Sequence, residues 1–125
     1  MRATAFIFAF TLLASAPSFA DEVPIDGLWV GTYTNTSIQQ EGDFSMRLLR
    51  NGSVVTGTMD FKNRTTGRGF ENVPVKGTTE GSKVSLRVGR NGQGWLEGTV
   101  SGDAMTGKTA GSDNLPANDF RAKKQ

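Results

Sequence analysis

The groups with which this 125-residue chain could do polar chemistry are few and scattered. Four carboxylates, Asp60, Glu97, Asp103 and Asp119, could in principle pair as general acid and base. That work needs two carboxyls held close together with their pKa values driven apart. Nothing in their spacing brings two of them together at a predictable distance, and scattered surface charge is the plainer reading. Arg64-Thr65-Thr66-Gly67-Arg68-Gly69 could hold an anion on backbone amides and two guanidiniums; against this stands a mobile, solvated loop. There is no histidine and no cysteine. Their absence removes Ser-His-Asp and Cys-His nucleophilic systems and the commonest ligands of zinc, copper and haem. The chain is expected to be non-enzymatic, with no catalytic residue, no metal site and no cofactor.

What the chain does offer is apolar and aromatic. Trp29, Tyr33, Phe44, Met46, Met59, Phe61, Leu86 and Trp95 are the candidate ligand contacts, and methionines would let such a lining adapt to an irregular ligand. These residues recur in short alternating runs separated by turn signals every 8–12 residues, the pattern of an all-β sandwich or barrel. Strands are expected at about 28–34, 43–50, 53–62, 70–78, 84–88, 95–100, 104–109 and 119–122. Asn51-Gly52 reads as a type I′ hairpin turn, and Asn91-Gly92 as a second of the same kind. Pro74, which cannot donate to a ladder, marks an edge, a bulge or a strand start. No window beyond the N-terminal segment carries a helical apolar period, so no substantial helix is expected.

These readings converge on a single up-and-down antiparallel barrel of about eight strands, whose closure removes exposed edges. A weak repeat supports the regularity: Val75-x-Gly77-Thr78-x-x-Gly81-x-x-Val84 recurs as Leu96-x-Gly98-Thr99-x-x-Gly102-x-x-Met105, one hairpin per copy. Inside, the lining would be Trp29, Phe44, Met46, Val55, Met59, Phe61, Val84, Leu86 and Leu96. Gly57, Gly77, Gly98 and Gly107 share the apolar face of their strands. They serve either as corner-turning kinks or as room for one small ligand, which an eight-stranded barrel is just wide enough to hold.

The N-terminus reads as an address. Met1-Arg2 is followed by an apolar run at 5–13 and by Ala14-Ser15-Ala16-Pro17-Ser18-Phe19-Ala20, the pattern of a secretory signal peptide cleaved after Ala20. The run is too short to span a bilayer, so no stable membrane insertion is expected. The leader is bacterial in style and implies a periplasmic or secreted protein. Residues 21–125 would form the barrel domain, with thirteen basic and twelve acidic residues once Arg2 is removed. They show no basic stripe with interleaved aromatics, which argues against nucleic acid.

Gly27-x-Trp29 at the start of the first strand, with Arg121 in the last, resembles the calycin group of barrels: lipocalins, fatty-acid-binding proteins and avidins. The resemblance implies a tryptophan at the closed end of the barrel with a cation from near the final strand packed across its ring, here Trp29 and Arg121. The chain departs from those families in lacking a helix after the last strand, a helical lid, or a recognisable biotin-contact pattern. The expected function is binding of a small apolar ligand in the barrel, or of an envelope protein partner through the loops and Trp95. The alternative is a fully packed structural or inhibitor-like protein. Oligomeric state is left open.

Overall fold

A computed structural model describes residues 24–125; the expected leader at 1–20 lies outside them. Eight strands follow in order: β1 (Gly27–Asn35), β2 (Gln40–Asn51), β3 (Val54–Asn63), β4 (Gly69–Glu80), β5 (Lys83–Val88), β6 (Gly94–Ser101), β7 (Ala104–Ala110) and β8 (Asn118–Lys124). Each pairs antiparallel with the next, and β1 pairs with β8, so the sheet closes into an up-and-down barrel. No helix occurs among the described residues. Alternation sets the faces: Phe44, Met46 and Leu48 of β2, Val84 and Leu86 of β5, and Leu96 and Val100 of β6 all join one buried cluster. In β1, where both faces are apolar, Trp29 and Tyr33 point in while Val30 is 43% exposed.

The two ends of the barrel differ. Three hairpins at one end have two-residue turns, Gly52-Ser53, Gly81-Ser82 and Gly102-Asp103, each enclosed by the last pair of a ladder. Only the glycine of each has a positive φ, 65°, 61° and 62° respectively. Glycine at the first central position with a following residue at negative φ is the II′ arrangement. The expected I′ turn at Asn51-Gly52 is therefore shifted by one residue: Asn51 pairs with Val54 inside the ladder. The sequence repeat is this same turn used twice. At the other end the connections are longer, at 36–39, 64–68, 89–93 and 111–117. Asn91-Gly92 belongs to the third of these and not to a two-residue turn.

The tight-turn end is sealed. Ile25, just ahead of β1, and Trp29 are both 0% exposed, and the Trp29 indole N–H donates to the Ile25 carbonyl at 2.9 Å. Lys124, on the inward parity of β8, places its Nζ 5.9 Å from the centroid of the Trp29 ring, within cation–π range. Arg121 has the opposite parity and stands exposed on the outer wall, paired with Thr32 and Thr106. The cation across the closing tryptophan is thus Lys124 and not Arg121. β8 runs to Lys124, further than the expected 119–122, and this brings a basic residue onto the inward parity of the strand.

The inward glycines make contact and not space. A methyl group at Gly57 would overlap the Arg47 carbonyl oxygen, at Gly77 that of Ser85, and at Gly107 that of Glu97. At Gly98 the position is filled by Phe120 Cζ and the Met105 side chain, 2.9–3.2 Å from where a Cβ would sit. At Gly57, Gly77 and Gly107 the backbone of the paired strand comes this close, in keeping with the glycine kinks that a small, strongly coiled barrel requires. These glycines are points of close approach and leave no room for a ligand.

One irregularity positions a side chain. Met59 pairs with Val73 and Phe61 with Phe70, so Asp60 of β3 faces both Glu71 and Asn72 of β4. Asn72 takes a positive φ of 56°, and its N–H donates to Asp60 Oδ1 at 2.8 Å. Asparagine tolerates this left-handed conformation better than most side chains. The extra residue of this bulge reverses parity. Strict alternation from Val73 would turn Phe70 outward; the bulge puts it on the inner face with Phe61. Pro74 follows two residues later, where the β4–β5 pairing has already ended at Val75–Val88. Its carbonyl accepts from the Gly89 N–H of the loop.

Candidate functional site

The interior grades from sealed to reachable. Trp29, Met46, Leu86 and Leu96 are at most 1% exposed, and side chains closed to that degree leave no gap the size of a water molecule against them. Toward the loop end the inward residues open: Phe61, Val73 and Val88 are half-buried, and Phe70 is 53% exposed. All four phenylalanines of the described residues and the only tyrosine share this upper interior. Phe120 and Phe44 meet edge-to-face with centroids 5.7 Å apart. Phe44 is the register partner of Phe61, and the Phe61 and Phe70 rings lie 5.2 Å apart, tilted by 40°. A continuous aromatic band therefore runs from β8 through β2 and β3 to the tip of β4. Tyr33 leans over Gly42, whose missing side chain leaves the place the ring occupies.

Polar groups in this region are few. Burial, chiefly, and then the Asp43 carboxylate raise the pKa of the Tyr33 phenol above its ordinary value, with the Arg64 guanidinium opposing. Arg64 pairs with Glu41 and Asp43 at 3.4 and 3.3 Å on the exposed rim. In the 64–68 loop, Asn63 Oδ1 accepts from the N–H groups of Thr65 and Thr66, and the Asn63 carbonyl from that of Gly67. Those amides are occupied and are not free to cradle an anion, which leaves the solvated-loop reading of 64–68. On the inner face of β8, Asn118 is 6% exposed, and no protein group donates to its Oδ1.

The candidate residues read from the sequence fall into three groups. Tyr33, Phe44, Met59 and Phe61 lie together in the upper interior. Trp29, Met46 and Leu86 sit in the sealed lower core, out of a ligand's reach while the barrel keeps this packing. Trp95 is half-buried on the outer wall, between Arg87 and Ala110 in the ladders. There Arg87 bonds Asp113 of the 111–117 loop. Missing from the sequence reading were Phe70, Val73, Val88 and Asn118. The Asn72 position before Val73 carried a faint signal for the bulge, whereas Asn118 looked like a loop residue beside Pro116. Of the four carboxylates, Asp60 holds the bulge, Glu97 is opposite Lys108 in the ladder, and Asp103 and Asp119 pair with Lys123 and Lys108. Among the described residues no group of three or more acidic side chains is placed to hold a metal ion.

No family model matches the chain, and no curated protein matches it. Among solved structures it is similar to a de novo designed fluorescence-activating β-barrel, at 15% identity and a TM-score of 0.57, over 81% of this chain and 94% of that one. The fold is a small closed β-barrel. The likeness shows that much.

Proposed function

We propose that this chain is an exported, non-enzymatic binding barrel that takes a small, largely apolar ligand at its loop end, not along its whole axis. The observation that carries the reading is the gradient of burial. The lower core is sealed by Trp29, Ile25 and the layer above them, while an aromatic band reaches the surface only at the loop end. Ligand sites are typically concave and apolar with a few placed polar groups, and Tyr33 and Asn118 fill that description. A designed fluorescence-activating β-barrel shares this fold. The leader expected at 1–20 supports a periplasmic or secreted location.

Native mass spectrometry of the protein purified from its own source tests the reading, together with apolar probes monitored through Tyr33. A retained small-molecule mass, or a probe that raises the Tyr33 titration midpoint, is the expected result. A clean apo mass and an unmoved midpoint across the probes would instead support the packed structural or inhibitor-like alternative.

A further inference from the structure

We infer that the ligand of the loop end carries an uncharged hydrogen-bond donor, and that Asn118 Oδ1 receives it. The inference rests on the binding reading above and adds the chemistry of the ligand's head. Asn118 is the first residue of β8 and shares the inner face of that strand with Phe120 and Ala122. It is paired with Thr109, whose hydroxyl already donates to the Trp95 carbonyl and is spent. Asn118 is more than nine-tenths buried and its Oδ1 has no donor from the protein. An amide oxygen closed off in this way keeps its full desolvation penalty unless something donates to it. That is a reason for a ligand, or a water, to be bound there.

The site's own composition selects the class of head group. Phe120 lies two residues along the same face, and Tyr33 pairs with Phe120 from β1, so Asn118 lies at the edge of the aromatic band. An apolar body against Phe44 and Phe120 would bring its head to Asn118. No Lys or Arg stands among the inward residues at this end; Lys124 is at the opposite, sealed end. A carboxylate head would enter without an inward cation and without a proton to donate, since the rim guanidinium of Arg64 is already paired with Glu41 and Asp43, and burying an unpaired charge is far more costly than burying a neutral group. An alcohol or a primary amide meets both conditions.

Three probes built on a ten-carbon chain separate the outcomes on the full chain: 1-decanol, which donates; methyl decyl ether, in which a methyl replaces the hydroxyl proton; and decanoate, which is charged. Dissociation constants would be read by 15N NMR, with the Asn118 side-chain amide as the local reporter. Decanol is expected to bind about tenfold tighter than the ether, one hydrogen bond's worth, with the Asn118 amide resonance shifted by decanol; decanoate is expected to bind weakest. In Asn118→Leu, decanol should fall to the ether's affinity while the ether is unaffected. Equal binding of decanol and ether to the unaltered protein overturns the inference and leaves the binding barrel standing, with water the partner of Asn118. Tightest binding by decanoate also overturns it. Binding of none of the three overturns the inference and the binding reading together.

Discussion

Replacing Gly77 with alanine separates the two roles an inward glycine can have in a small barrel. An added Cβ would overlap the Ser85 carbonyl oxygen and stand 2.8 Å from both Leu86 Cα and Ser85 C, closer than real Cβ atoms approach. These neighbours are backbone, held in the ladder by the Gly77–Leu86 pair and its flanking pairs, so the strand cannot yield by turning a side chain. Overpacking of this kind costs about 1–3 kcal/mol. Loosening two adjacent ladder hydrogen bonds adds roughly 1 kcal/mol each, for a loss of about 3–5 kcal/mol. Small domains have only about 5–15 kcal/mol of total stability. With a urea slope of roughly 2 kcal/mol per molar, the unfolding midpoint should drop by about 2 M. Gly98→Ala is the internal control, because its nearest obstacles are the end of the Phe120 ring and the flexible Met105 side chain. It should cost about 1–2 kcal/mol. Equilibrium urea unfolding followed by far-UV circular dichroism reads both. If Gly77→Ala lies within 1 kcal/mol of the unaltered protein, the close-approach account of the barrel's glycines is wrong. Apolar-probe affinity should then be examined for the space those glycines leave.

Further expectations concern the two ends. Trp29→Ala should cost about 3–5 kcal/mol, as for other fully buried large aromatics. Lys124→Gln should cost roughly 0.5–2 kcal/mol and Arg121→Gln less than about 0.5 kcal/mol; equal costs for the two cations in thermal unfolding would refute the assignment of Lys124. Tyr33, the only tyrosine, can be titrated by phenolate absorbance, and its midpoint should lie above the ordinary value of about 10. The folded-state pKa is raised, so the associated stability is fully present below the unfolded value and is lost as pH rises through the folded one. A midpoint at or below that of free tyrosine would show an exposed ring. Phe70→Ala should leave the urea midpoint nearly unchanged because the side chain is half-exposed, yet weaken apolar probes at the loop end severalfold. Unchanged probe affinity would remove Phe70 from the site.

Much of the barrel was legible because its strands have one buried and one wet face. Alternation in β2 and β5 then reports strand, parity and approximate limits together. The turn glycines were legible for a similarly local reason, since few residues other than glycine sit comfortably at positive φ. Errors arose where a neighbouring strand decides the outcome. Asn51 could have been a turn residue, but the ladder to Val54 claimed it. Phe70 took the inner face because Asp60 holds a bulge in the strand opposite. Arg121 and Lys124 are equally basic and three residues apart, and the length of β8 selected between them.

By itself the amino-acid sequence determined the all-β class, the strand order, the tight glycine turns and the lack of histidine and cysteine chemistry. These depend on side-chain type, on period-two alternation and on local φ preferences, all of which act within a few residues. Tertiary structure alone decided which end of the barrel is sealed, how far along the axis each aromatic lies, and that Asn118 keeps a buried oxygen without a protein donor. Alternation names two faces but not a height. Height follows from the cross-strand register and the closure of β1 on β8, which join residues about ninety positions apart.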